Sequence, residues 1–149
     1  MATGRRKSSA LDCRHCPRRK LSEWSTLEDA DLDLMSEGLS HREYLPGEVI
    51  FDEGEACSGV YCIESGLVGV RKSDADGNSL LLYVSQPGDT MGYRALIAGE
   101  EYRASAEALE PSRVCHVRAA TVRKLIGHNP ALGLRYLERV AKQLGDAEE

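Results

Sequence analysis

Nine of the fourteen glycines fall between Gly47 and Gly99, where they separate short segments rich in Val, Ile, Leu and Tyr. Glycine inside a helix costs about 0.5–1 kcal/mol relative to alanine, so punctuation at this density restricts the middle of the chain to short strands and turns. The spacing predicts strands over 48–51, 59–64, 67–72, 80–86, 104–109 and 113–117. Val49 with Phe51, Tyr61 with Ile63, and Val68 with Val70 alternate in period two, so each pair is expected on one face of a sheet. Asp74-Ala75-Asp76-Gly77-Asn78 reads as a hairpin turn in which Gly77 or Asn78 takes positive φ, and Pro87-Gly88-Asp89 as a second turn.

The flanks have a different period. Residues 27–38 read as a short helix with Leu27, Leu32, Leu34 and Met35 as apolar contacts and Gly38 as its stop. Residues 121–126 make a further helical stretch, and Gly127-His128-Asn129-Pro130 ends it. Asn129 is placed to cap a new helix whose first position, Pro130, has no N–H to lose. That helix is expected to run to about Leu144, with Leu134, Leu137, Val140, Ala141 and Leu144 as an apolar stripe. Two heptads fit either a helix packed on its own β domain or a dimer-forming coiled coil.

At 149 residues the chain suits one domain, and its longest apolar runs, such as 80–84, fall far short of a membrane span. Charge is unevenly placed. Residues 1–20 carry seven Lys/Arg and one Asp, leaving twelve Lys/Arg against twenty-three acids elsewhere. An acidic body is a poor surface for nucleic acid, which is gripped largely by Lys and Arg. The basic head reads as a solvated tail. Five cysteines are an odd number in a chain without a secretory leader, so thiols or metal ligands are expected in a reducing compartment, the cytoplasm.

Three segments carry a resemblance. Residues 45–55 read Leu-Pro-Gly-Glu-Val-Ile-Phe-Asp-Glu-Gly-Glu, residues 59–68 read Gly-Val-Tyr-Cys-Ile-Glu-Ser-Gly-Leu-Val, and residues 87–92 read Pro-Gly-Asp-Thr-Met-Gly. With the order of helices and strands, these make the chain resemble the effector domain of the Crp/Fnr transcription regulators, Fnr-like branch, over about 12–144. The resemblance implies a mainly β fold with flanking helices: a cyclic-nucleotide-binding-like double-stranded β-helix, or β-roll, followed by a dimerisation helix. The expected division is a basic N-terminal segment over 1–26, a sensor domain over 27–128 and part of the dimerisation helix over 129–149. The resemblance also implies a homodimer through Leu134, Leu137, Val140, Ala141 and Leu144. DNA is expected to be reached only through a helix-turn-helix domain that these 149 residues do not contain.

In such domains a cyclic nucleotide is held by a Glu on the ribose hydroxyl, and by an Arg and a Ser/Thr on the phosphate. The matching stretches here are Gly92-Tyr93-Arg94-Ala95-Leu96 and Arg103-Ala104-Ser105-Ala106. Arg103 stands at the phosphate position, Tyr93 replaces the Glu, and Ala104 replaces the hydroxyl residue. Ser105 comes one residue late, which on a strand points it to the other face. The candidate ligand-binding set is therefore Gly92, Tyr93, Arg94, Arg103, Ala104 and Ser105. Arg103 either holds an anion with Arg94 or pairs with Glu100, Glu101 or Glu107.

Cys13-Arg14-His15-Cys16 spaces two thiols for one metal or cluster. In the Fnr branch such a pair, a third nearby Cys and a distant one ligate an iron–sulfur cluster, and Cys115 falls at the distant position. Ser22 stands where the third nearby Cys is expected, so the candidate metal set is Cys13, Cys16 and Cys115. Relatives also keep such a head without a cluster. Should the head pack, Leu11, Leu21 and Trp24 are its apolar contacts. Cys62 reads as a packed small hydrophobe and Cys57 as an exposed thiol. His41, His116 and His128 have no metal spacing and are expected in solvent or at helix ends, with haem ligation by one of them a further option.

No catalytic motif is present, so an enzyme is not expected. Three readings compete. One is a cytoplasmic effector-sensing and dimerisation domain that takes a small anionic or cyclic-nucleotide-like ligand such as cAMP, with no membrane partner. The others are an iron–sulfur or oxygen sensor using Cys13, Cys16 and Cys115, and a degenerate domain serving only protein–protein interaction.

Overall fold

The computed structural model describes residues 23–148. A 3₁₀ turn, Glu23–Thr26, leads into α1 (Asp29–Ser36), and eight strands follow: β1 (Leu39–Tyr44), β2 (Val49–Phe51), β3 (Gly59–Ser65), β4 (Val68–Ser73), β5 (Ser79–Ser85), β6 (Thr90–Met91), β7 (Ser105–Ala108) and β8 (Ser112–Arg118). Helix α2 (Tyr93–Ala98) interrupts the strands after β6, and α3 (Ala119–His128) and α4 (Pro130–Glu148) close the fold. Two antiparallel sheets form, ordered β1-β8-β3-β6 and β2-β7-β4-β5.

Strand β3 explains why the molecule has two cores. Val60 and Cys62 point to the helices, where they meet Trp24, Leu32, Met35, Leu125, Leu132 and Tyr136. Tyr61 and Ile63 point the other way, between the sheets, against Phe51, Val68, Val70, Ala106 and Val114. A strand covered on both faces reads as a continuous apolar run, as 59–63 does.

Turn chemistry follows the sequence closely. Gly77 supplies the positive φ (85°) of the hairpin between β4 and β5, and Asp74 Oδ1 accepts from the Asp76 and Asn78 N–H groups. Asn129 caps α4, its Oδ1 accepting from Ala131 N at 3.2 Å. Its Nδ2 donates to Thr26 O and Asp31 Oδ2, so one amide ties α4 to the chain's first described turn.

Several expectations are corrected. Val49 and Phe51 do not share a face: a register shift lies between them, Phe51 is buried and Val49 is exposed. A bulge resets the alternation that a sequence pattern assumes. Strand β1 and helix α2 were not foreseen. The expected strand over 80–86 forms as β5, an edge strand on which Leu80, Leu81, Leu82, Tyr83 and Val84 are all exposed. Helix α4 presents two apolar faces. Leu132 and Tyr136 are fully buried, while Leu134, Leu137 and Leu144 are 58%, 57% and 61% exposed. Ala141 is exposed with them, whereas Val140 is half-buried against the chain's own core.

Candidate functional site

A cavity of about 390 Å³ opens beside the inter-sheet core. Its apolar lining comes from Phe51, Val70, Met91 and Leu82, and its polar lining includes Lys72, Tyr93, Arg94, Arg103 and Gln143. Gly92 makes the geometry: its φ of 91° turns the chain from β6 into α2, and a Cβ there would stand 2.8 Å from Gly59 O. The turn carries Tyr93 and Arg94 to the cavity wall. Tyr102 is pinned behind Phe51, their rings 4.2 Å apart, with its hydroxyl donating to Gly59 O and accepting from Ser58 N.

The wall has three cations and, among its described lining residues, no carboxylate. Carboxylates reach the cations from outside. Glu100 receives Arg94 Nη1 and Arg103 Nη2, each at 3.0 Å. The Arg94 hydrogen bond, with Arg103 adding, holds Glu100 below the usual carboxylate range against a weaker opposing effect of burial. Arg94 Nη2 is buried without a hydrogen-bond partner among the described residues. Lys72 donates to Glu53 Oε2 and to Arg103 O, and Glu53 is in turn held low by the Ser73 N–H and by Lys72.

Tyr93 links the cavity to α4. Its hydroxyl accepts from Gln143 Nε2 at 2.7 Å, and its ring stacks on Tyr136 at 5.2 Å. Burial pushes its pKa up to about 12, so the hydroxyl stays protonated and neutral. Tyr136 in turn accepts from the Trp24 indole at 2.7 Å. Lys72, Tyr102 and Gln143 were not foreseen as lining residues. Gln143 had a signal: it lies seven residues after Tyr136, on the same helix face.

The structure brings Gly92, Tyr93, Arg94, Arg103 and Ala104 to one cavity. Ser105 is elsewhere, its hydroxyl accepting from Glu53 N at 2.8 Å, as a one-residue slip on a strand requires. Among the described lining residues, three cations are available to an anionic group and no carboxylate is present to accept a hydroxyl.

Cys13 and Cys16, with Leu11 and Leu21, lie outside the described residues. Cys115 is buried, its sulfur 3.3 Å from His41 Nδ1. His41 also lies 3.4 Å from Glu64 Oε1, so the expectation of a solvent position for it is overturned. The described donors there are one thiol, one imidazole and one carboxylate, whereas iron–sulfur clusters are held by thiolates. His116 is likewise engaged, its Nε2 3.0 Å from Ser58 Oγ. Cys62 is packed as expected, and Cys57 is half-buried rather than exposed. Among the described residues no helix is long and apolar enough to cross a membrane.

The family model described as "Cyclic nucleotide-binding domain" matches residues 41–129. The "Fumarate and nitrate reduction regulatory protein" of Vibrio cholerae is 26% identical over 141 residues, covering 93% of this chain and 56% of that relative. The catabolite activator protein of Thermus thermophilus superposes with a TM-score of 0.75 at 25% identity, over 85% of this chain and 59% of that one. The sensor domain of the transcriptional regulator DNR from Pseudomonas aeruginosa has the same fold, with a TM-score of 0.75 at 20% identity and 84% of each chain covered. The chain spans about half the length of the curated relatives it matches.

Proposed function

This chain belongs to the cyclic nucleotide-binding domain family, and from that membership we propose that it is the effector-sensing and dimerisation part of a Crp/Fnr-like transcription regulator. The effector is a small anion. One observation carries the reading: a cavity of about 390 Å³ whose described wall holds Lys72, Arg94 and Arg103 and no carboxylate, with a buried Arg94 nitrogen that has no hydrogen-bond partner among the described residues. A volume of several hundred Å³ with an apolar lining and few polar groups is ordinary for a small-molecule site. The pathway to the rest of the protein is helix α4, which lends Gln143 to the cavity while exposing Leu134, Leu137 and Leu144 outward. Those leucines are where a second copy would pair.

Cyclic AMP is expected to bind weakly. Losing one hydrogen bond to a charged group costs about 1.5–3 kcal/mol, so Tyr93 in place of the ribose-binding Glu lowers affinity roughly tenfold to a hundredfold. Isothermal titration calorimetry with cAMP, cGMP and a series of small phosphates and carboxylates tests both statements. Low-micromolar binding of cAMP would refute the second. Failure of Arg103→Ala to weaken any anion that binds would refute the first.

A further inference from the structure

On the helix-side face of the first sheet, three strands bring together side chains that the effector cavity does not use. His41 on β1 and Cys115 on β8 are direct cross-strand partners. Glu64 comes from β3 at the register shift between Ile63 and Ser65. Bulges of this kind re-aim a side chain, and here the carboxylate reaches the His41 ring. One ligand atom from each residue lies within 4.8 Å of the other two.

We propose that His41, Glu64 and Cys115 form a mononuclear site for a zinc-class divalent cation, ligated by the imidazole Nδ1, one carboxylate oxygen and the thiolate. Zinc takes nitrogen at about 2.0–2.1 Å and sulfur at about 2.3 Å in a tetrahedron, which sets neighbouring ligand atoms roughly 3.3–3.6 Å apart. Here sulfur to nitrogen is 3.3 Å and oxygen to nitrogen is 3.4 Å. The donor set selects the metal class: a thiolate with an imidazole suits zinc, and an all-oxygen cage for magnesium or calcium is absent from the three. Arg113 Nε lies 2.7 Å from the other carboxylate oxygen, Oε2, without the alignment of a hydrogen bond. That cation orients Glu64 so that Oε1 faces His41, as outer partners do around metal ligands. Binding converts the Cys115 thiol to thiolate, and its proton passes to solvent; the His41 proton resides on Nε2.

The site is tested on the reduced, chelator-treated full chain, titrated with Zn²⁺ alone against a chromophoric chelator, with no iron or sulfide supplied. One Zn²⁺ per chain is expected. His41→Ala, Glu64→Gln and Cys115→Ser are each expected to weaken it at least about tenfold, by analogy with the loss seen when even outer partners are removed. The double variant Cys13→Ser/Cys16→Ser is expected to retain the affinity within a few-fold. Substitution by Co²⁺ should give a thiolate charge-transfer band that Cys115→Ser abolishes. Absence of Zn²⁺ binding, indifference to His41→Ala and Glu64→Gln, or a tenfold loss in the head double variant would each overturn the proposal. Because His41 and Glu64 are at the edge of the core, with side chains 10% and 12% exposed, their variants decide the matter even if Cys115→Ser does not fold.

Discussion

Glu100 holds two guanidiniums at once, so an anion entering the cavity has to compete with a carboxylate of the same chain. Both ion pairs are substantially exposed, and exposed pairs are screened and individually weak. Glu100→Gln is therefore expected to raise anion affinity by roughly twofold to thirtyfold, read by calorimetry, with no loss of fold. His116 offers a second test at this scale. Burial, with Arg42 and Arg118 adding, depresses its pKa below the ordinary 6.5, so folding favours the neutral ring. The stability that goes with the neutral ring is complete above that value and is lost as pH falls through it toward the depressed one. Urea midpoints measured at about pH 7.5 and about pH 5.5 should differ less for His116→Gln than for the parent chain. Single residues were also where the sequence was least legible. Arg103 and Tyr93 were readable because the resemblance aligns 92–96 and 103–106 with the family's ligand contacts, but His41 and Cys115 are 74 positions apart and meet only through strand pairing.

At the scale of elements, the strands punctuated by glycine were legible and the elements defined by context were not. Strand β1, Leu39–Tyr44, is half-exposed along most of its length and carries no apolar alternation, so it pairs with β8 without announcing itself. Helix α2 has six residues, too few for a periodic signature, and exists because Gly92 and Gly99 turn the chain at its two ends. Helix α4 showed its outward stripe in sequence, while its inward face was hidden by spacing that also fits a coiled coil. Leu137 is 57% exposed in the single chain, so Leu137→Glu should leave the monomer folded. The same substitution puts a charge into a helix seam, and sedimentation at tens of micromolar is expected to show dimer in the parent and monomer in the variant. The inward face is held by Glu23, nearly fully buried, which accepts from Thr90 Oγ1 at 2.6 Å and pairs with Arg139 at 2.8 Å. Glu23→Gln is expected to cost about 1.5–3 kcal/mol in denaturant unfolding, the usual value of hydrogen bonds to a charged group.

For the whole molecule, the two cores share β3 and β8, since Val60 and Cys115 face the helices while Ile63 and Val114 face the second sheet. Neither core survives the loss of the sheet between them, so a single unfolding transition is expected. Leu125→Ala on one side and Ile63→Ala on the other should each shift that same transition by about 2–5 kcal/mol, with calorimetric and van't Hoff enthalpies still equal. Resolution into two transitions would mean that the cores are independent. The position of Gln143 has a consequence for how the protein would report its effector. One rigid helix forms part of the cavity wall and also carries the outward leucines, so whatever shifts that helix on one side is felt on the other. Binding couplings are reciprocal. The midpoint of an effector dose–response should then move with protein concentration, and diluting the chain would retune the signal it answers without altering any atom of the pocket.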